Sequence, residues 1–216
     1  MADSTHTFLF ADLVGFTALA ELEGDDRALE VALGLQRRVR GMLEEQLDDA
    51  GAAHSSEAGG RAGSVPAAEQ VKTIGDGLML RCTEPRAAIL LGLRLVGEIH
   101  GDNGFPPVRV GIHTGPALAS EGDWYGRTVN VAARLCSVAP GGEVMVSEAT
   151  REAAGNLPGV EWSDRELHWL RNVSEPVGTY LASCSEPAAA QVDPRPAKRL
   201  GLRWACGRSA LGGVTA

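Results

Sequence analysis

The 216-residue sequence is poor in aromatic residues, at 5%, and has only four cysteines, Cys82, Cys136, Cys184 and Cys206. These lie far apart, with no CxxC pair and no clustered histidines, so the ligand spacing of a structural zinc site is missing. Positive charge is also short. Lys and Arg total 20 against 28 Asp and Glu, a formal net charge of -8, which excludes a general nucleic-acid binder. Local phosphate binding stays open, because a metal ion can supply the missing charge. No stretch approaches the ~20 apolar residues of a membrane span. The first apolar run has no basic region before it and is interrupted by Asp12, unlike a signal peptide. The expectation is a cytoplasmic protein with reduced thiols, no integral membrane segment and no nucleic-acid partner.

What is present is ordinary for a globular chain, with 44% hydrophobic and 22% charged residues. The length suits one full core. One folded domain is expected over residues 1–185. Past it, residues 186–216 are rich in Pro, Ala and Gly and carry Arg195, Lys198, Arg199, Arg203 and Arg208 against Glu186 and Asp193. This basic tail is expected to be disordered.

The stretch FLFADLVGFT, residues 8–17, reads as an apolar strand that delivers Asp12 at its end and then turns through Gly15. An acid beside a turn rich in backbone N–H groups is a nucleotide-site geometry, although many strands end in Asp for turn reasons alone. Residues 26–47 place Ala28, Ala32, Leu35, Val39, Met42 or Leu43, and Leu47 at helical spacing, the mark of an amphipathic helix packed on a sheet. Residues 51–70 have no periodicity and read as a loop, with His54 solvated. VKTIGDGLML, residues 71–80, reads as a β-hairpin with Asp76 at its tip.

Pro85 opens a second helix that carries Ala88, Leu91, Leu95 and Ile99 on one stripe and ends at His100-Gly101. Residues 108–120 read as two strands around a Thr114-Gly115-Pro116 turn, with His113 a packed or capping residue. A helix starting near Thr128 would bury Val131, Leu135 and Val138 and put Asn130 and Arg134 together on another face. Arg134 there suits bidentate contact with phosphate oxygens, or equally a surface ion pair. EVMV is a further strand, Ser147 caps a short helix, and ELHWLRNV with PVGTYLA form a last pair of strands.

The combination FADLVGFT, VKTIGDG, GIHTG and DWYGRTVNVAARL resembles the class III nucleotidyl cyclase catalytic domain, the adenylyl and guanylyl cyclase family, over about residues 6–182. The resemblance implies an α+β fold with a ferredoxin-like βαββαβ core, an antiparallel sheet covered by helices. It implies that Asp12 and Asp76 hold two Mg2+ or Mn2+ ions per site with the Leu13 carbonyl, and that Gly15, Phe16 and Thr17 offer backbone amides to a triphosphate. Lys72 and Asp123 stand where the family reads the purine. Their chemistry points to adenine, since Asp accepts from the exocyclic amine and Lys donates to a ring nitrogen. By the same resemblance Asn130 orients the ribose and Arg134 stabilises the transition state.

One departure is plain: the family often has Leu-Lys-Gly near the C-terminus, and this chain reads Leu170-Arg171-Asn172, with Arg171 in place of the polyphosphate lysine. The implied activity is adenylyl cyclase, with ATP as substrate and a head-to-tail homodimer sharing its active sites. The alternatives are a catalytically silent nucleotide-binding regulatory module and a guanylyl cyclase. A diguanylate-type enzyme is disfavoured by the lack of a Gly-Gly-Asp/Glu-Glu-Phe run.

Overall fold

The structure is a computed structural model that describes residues 4–54, 68–100, 102 and 104–185, with the backbone alone for 46–54. The elements in chain order are β1 (Thr5–Leu13), α1 (Phe16–Glu23), α2 (Asp25–His54), β2 (Ala68–Ile74), β3 (Gly77–Cys82), α3 (Pro85–His100), β4 (Val108–Pro116), β5 (Leu118–Ser120), β6 (Asp123–Tyr125), α4 (Arg127–Val138), β7 (Val144–Ser147), α5 (Glu148–Ala154), β8 (Val160–Trp162), β9 (Glu166–His168) and β10 (Val177–Cys184). The eight-stranded sheet runs β2-β3-β1-β4-β7-β10-β8, with β9 also on β10. Its neighbours are antiparallel except for the parallel pair β4 and β7. This is the expected α+β fold, and β1 to β4 with their helices form its βαββαβ core.

Strand β1 is central and buried on both faces, which is why it reads as a nearly continuous apolar run. Successive side chains alternate between faces. Leu9, Ala11 and Leu13 join the main core with Val31, Leu35 and Val39 of α2 and Leu91, Leu95 and Ile99 of α3. Phe8 lies on the other face with Met79, Val129 and Ala132, and Phe10 packs there too. Asp12 keeps the parity of Phe8 and Phe10, so it emerges on the α4 side.

Helix α4 sits unusually close to the sheet. A Cβ built at Gly111 on β4 would lie 2.0 Å from the Cys136 nitrogen and 2.7 Å from the Ala132 oxygen, and one at Gly115 would lie 2.7 Å from Thr128 Oγ1. The glycines of GIHTG are thus the bed on which α4 lies, and the helix backbone meets the strand directly.

Several expectations change. Helix α1, eight residues long, was not anticipated, and neither was β8. The helix expected over 26–47 continues to His54, and the following strand begins at Ala68, so the 51–70 loop is shorter than expected; residues 55–67 lie outside the described residues. Strand β4 runs straight through Gly115 to Pro116, and β5 pairs with β6 in a separate two-stranded sheet, so the expected 108–120 hairpin does not form. Val138, expected in the core, is 44% exposed because the helix ends there and Ala139 is buried in its place. Tail residues 186–216 lie outside the described residues. Among the described residues no helix is long and apolar enough to cross a membrane.

Candidate active site

Asp12 and Asp76 meet at one corner of the sheet. Asp12 leaves β1 one residue before its end, opposite Arg109 of β4. Arg109 donates to Asp12 Oδ2 from Nε at 3.0 Å and Nη2 at 2.5 Å, and from Nη1 to the Ser137 carbonyl at 2.9 Å, on α4. Asp76 occupies the two-residue turn between β2 and β3 and lies close enough to Asp12 to feel its charge. Burial, and next the neighbouring Asp12 charge, push the Asp76 carboxyl above its usual range. A Cβ at Gly77 would stand 3.1 Å from the Ala11 carbonyl oxygen and 3.3 Å from Asp12 Oδ1, so the missing side chain leaves Asp12 its place.

Beyond Leu13 the chain turns through Gly15, whose φ of 79 lies in the left-handed region that glycine adopts without strain. Helix α1 starts there, and its first intrahelical bond is Leu19 N–H to the Gly15 carbonyl at 2.9 Å. No side chain caps this end. The Phe16 and Thr17 amides therefore sit at a helix N-terminus with no side-chain cap, four and five residues after Asp12, where the helix dipole favours an anion.

A second cluster forms away from that corner. Lys72 of β2 donates to Asp123 Oδ2 of β6 at 2.6 Å, and the Trp124 N–H donates to Oδ1 at 2.8 Å. The lysine hydrogen bond, and after it the Trp124 amide, hold the Asp123 carboxyl below its usual range. On α4, Asn130 and Arg134 are exposed one turn apart, with Val131 and Leu135 buried behind them. Among the described residues neither side chain has a hydrogen bond or ion pair, so the surface ion pair considered for Arg134 does not form.

Arg171 is also exposed. It sits in a turn after β9, closed by Val173 N–H to the Leu170 carbonyl at 3.1 Å, with Asn172 at a φ of 61; the expected strand stops at His168. Leu170 beside it is buried against Val131 and Leu135 of α4, which ties this turn to the inner side of the helix. Apart from the Arg109 bond to the Ser137 carbonyl, among the described residues no hydrogen bond or ion pair joins the acid corner, the Lys72–Asp123 pair, the Asn130 and Arg134 side chains and Arg171 to one another.

A sequence model of the adenylate and guanylate cyclase catalytic domain matches residues 2–181. The chain belongs to that family. It is 38% identical over 170 residues to a pH-sensitive adenylate cyclase of Mycobacterium tuberculosis, covering 77% of this chain and 38% of the relative. The chain spans about a third to two fifths of the length of four curated bacterial adenylate cyclases that it matches. Among solved structures it is similar to an adenylate cyclase of Trypanosoma brucei, with a TM-score of 0.65 and 24% identity over 84% of this chain and 88% of that one. It is equally similar to the guanylate cyclase domain of RhGC from Catenaria anguillulae in complex with GTP, with a TM-score of 0.66 and 19% identity over 85% of this chain and 98% of that one. The fold therefore does not choose between purines.

In this cyclase domain the sequence reading missed Arg109. Its signal was available: in Val108-Arg109-Val110-Gly111-Ile112 the apolar residues take one face, which leaves a lone guanidinium on the other. What sequence could not give was the register that sets it opposite Asp12.

Proposed function

We propose that the chain is an adenylate cyclase domain that converts ATP to 3',5'-cyclic AMP and pyrophosphate. The ribose 3'-oxygen bonds to the α-phosphorus, the bond to pyrophosphate breaks, and the hydroxyl proton passes to solvent. The observation that carries the reading is the Lys72–Asp123 pair, already formed at 2.6 Å. In a domain of this family it offers an acceptor to an exocyclic amine and a donor to a ring nitrogen, the pattern of adenine.

A divalent cation fits the acid corner. A hard cation would relieve the repulsion between two neighbouring carboxylates, and an all-oxygen donor set suits Mg2+ or Mn2+. Among the described residues no group of three or more metal-ligating acid, His or Cys side chains exists, so oxygens of the Leu13 carbonyl, water and phosphate would complete the shell. Ions held by Asp12 and Asp76 would supply the charge that acidifies the 3'-hydroxyl and offsets that of the phosphates. The chain's own groups bind and orient: the Gly15, Phe16 and Thr17 amides meet the triphosphate, Asn130 fixes the ribose, Arg134 meets charge growing on the transferring phosphoryl group, and Arg171 reaches the polyphosphate.

Among the described residues Asn130 and Arg134 face outward without partners and are not bonded to the acid corner. This supports a head-to-tail homodimer in which each site takes its acids from one protomer and its α4 face from the other, as two-fold symmetry requires. The test is to assay the purified chain with ATP and GTP in Mg2+ and in Mn2+ and identify the product, and then to mix Asp12→Ala with Arg134→Ala chains. Each is expected to be inactive alone and the mixture to recover activity through one intact composite site. A proven heterodimer that stays inactive rejects shared sites.

One observation favours a second reading, a silent nucleotide-binding module: the Arg109 guanidinium already neutralises Asp12 at Oδ2. Tight ATP binding without cyclic AMP at high protein concentration in Mn2+ selects it.

A further inference from the structure

Asp123 lies on β6, outside the eight-stranded sheet. An ion pair this close to solvent holds its partners weakly, because side-chain entropy and screening offset the attraction. The next residue gives a firmer hold. The Trp124 ring packs on the Phe8 and Met79 cluster, with ring centroids 4.2 Å from His6 and 5.7 Å from Phe8. The Arg81 guanidinium lies 4.9 Å from the centre of its ring. Arg81 is itself fixed at two points, donating to Glu69 at 2.7 Å and to His6 Nδ1 at 3.2 Å. One indole thus rests on groups from β1 and β3, the β3 guanidinium being held in turn by Glu69 of β2, and its own backbone N–H orients the oxygen of Asp123 that Lys72 does not take.

We infer that Trp124 is a positioning residue for purine selection, seating β6 on the sheet so that Asp123 cannot turn to suit the wrong base. This rests on the proposed role of Lys72 and Asp123. A site built to hydrogen-bond one base rejects another only when its polar groups cannot move to follow the change. With the ring removed, the short β5–β6 ribbon loses its anchor, and the carboxylate follows the ribbon.

The test measures dissociation constants of 3'-deoxy-ATP and 3'-deoxy-GTP, which lack the attacking hydroxyl, by calorimetry on the full chain with Mn2+, beside thermal melting. Trp124→Ala is expected to cut the adenine-over-guanine preference about tenfold, and Trp124→Phe, which keeps a ring against His6 and Arg81, to restore most of it. Arg81→Lys keeps a charge beside Glu69 but loses the planar group over the indole, and is expected to cut the preference about threefold; it carries the test if Trp124→Ala does not fold. An unchanged preference in a folded Trp124→Ala protein overturns the inference, as does an equal weakening of both analogues. A wild-type chain that prefers the adenine analogue but makes no cyclic AMP overturns the functional reading alone, and the Trp124 ratio still decides the inference. A wild-type chain with no preference overturns the inference as well.

Discussion

At the sheet corner and in the Lys72–Asp123 pair, Asp12, Arg109, Lys72 and Asp123 each have an oppositely charged partner within their own chain; on the outer face of α4, Asn130 and Arg134 have none among the described residues. The first set is positioned by the fold, and removing a member leaves another charge unsatisfied. The second is held only by the rigidity of a helix pressed against β4, so its members answer to something that arrives from outside the chain. Loss of function should therefore carry a stability signature in one region and not in the other.

The largest effect expected is on turnover. Asp12→Ala and Arg134→Ala should each lower kcat roughly a thousandfold, the scale of losing a main group that stabilises transition-state charge. They part in thermal melting. Asp12→Ala leaves Arg109 without its carboxylate and should lower Tm, whereas Arg134→Ala should leave Tm unchanged. A clear fall in Tm for Arg134→Ala would break the contrast.

A smaller effect tests the partnered region through pH. His113 is bonded to Ser147 Oγ, the cap of α5, at 2.8 Å. Burial, and after it the Arg127 charge, push its pKa down to about 4. The unfolded chain takes up this proton near the ordinary value and the folded chain does not until about 4, so stability is complete above about pH 6.5 and falls as pH drops through that window. The contribution is about 3 kcal/mol across the window. By urea unfolding, wild type should lose about that much more stability than His113→Gln between pH 7 and 4; equal losses would show that the imidazole is protonated in place.

The smallest effect concerns the platform of the unpartnered region. Gly111→Ala sets a methyl group against the Cys136 backbone and should cost about 1–3 kcal/mol, the range for overpacking, read from the urea midpoint at constant m. Activity should fall further than stability alone explains, because Asn130 and Arg134 move with the helix. A variant with full stability and full activity would mean that the helix position does not matter to the site.

The legible parts of the sequence were those in which one period dominates. Ala88, Leu91, Leu95 and Ile99 gave α3, Val131 and Leu135 gave the inner face of α4, and the Gly75-Asp76 turn gave the β2–β3 hairpin. Ser147 was legible as a cap because the chemistry is local. Helix α1 was hidden because eight residues starting on a glycine show little periodicity, and none of them is buried. The departure of β5 from β4 was hidden because a strand through Thr114-Gly115-Pro116 spells a turn; Gly115 is instead needed for Thr128 to approach. Of the candidate site, the residue types were readable from the motifs, while the Arg109–Asp12 and Trp124–His6 contacts depend on register between distant strands, which no local pattern encodes.

Gly111 also decides what kinds of motion are open to the domain. Helices usually shift by sliding over a layer of interlocked side chains, and at Gly111 that layer is absent, with backbone against backbone. Helix α4 therefore has no side-chain cushion there, and a movement of it towards β4 would press backbone on backbone. A rotation that carries sheet and helix together keeps that contact, and is the motion expected to redirect Arg134.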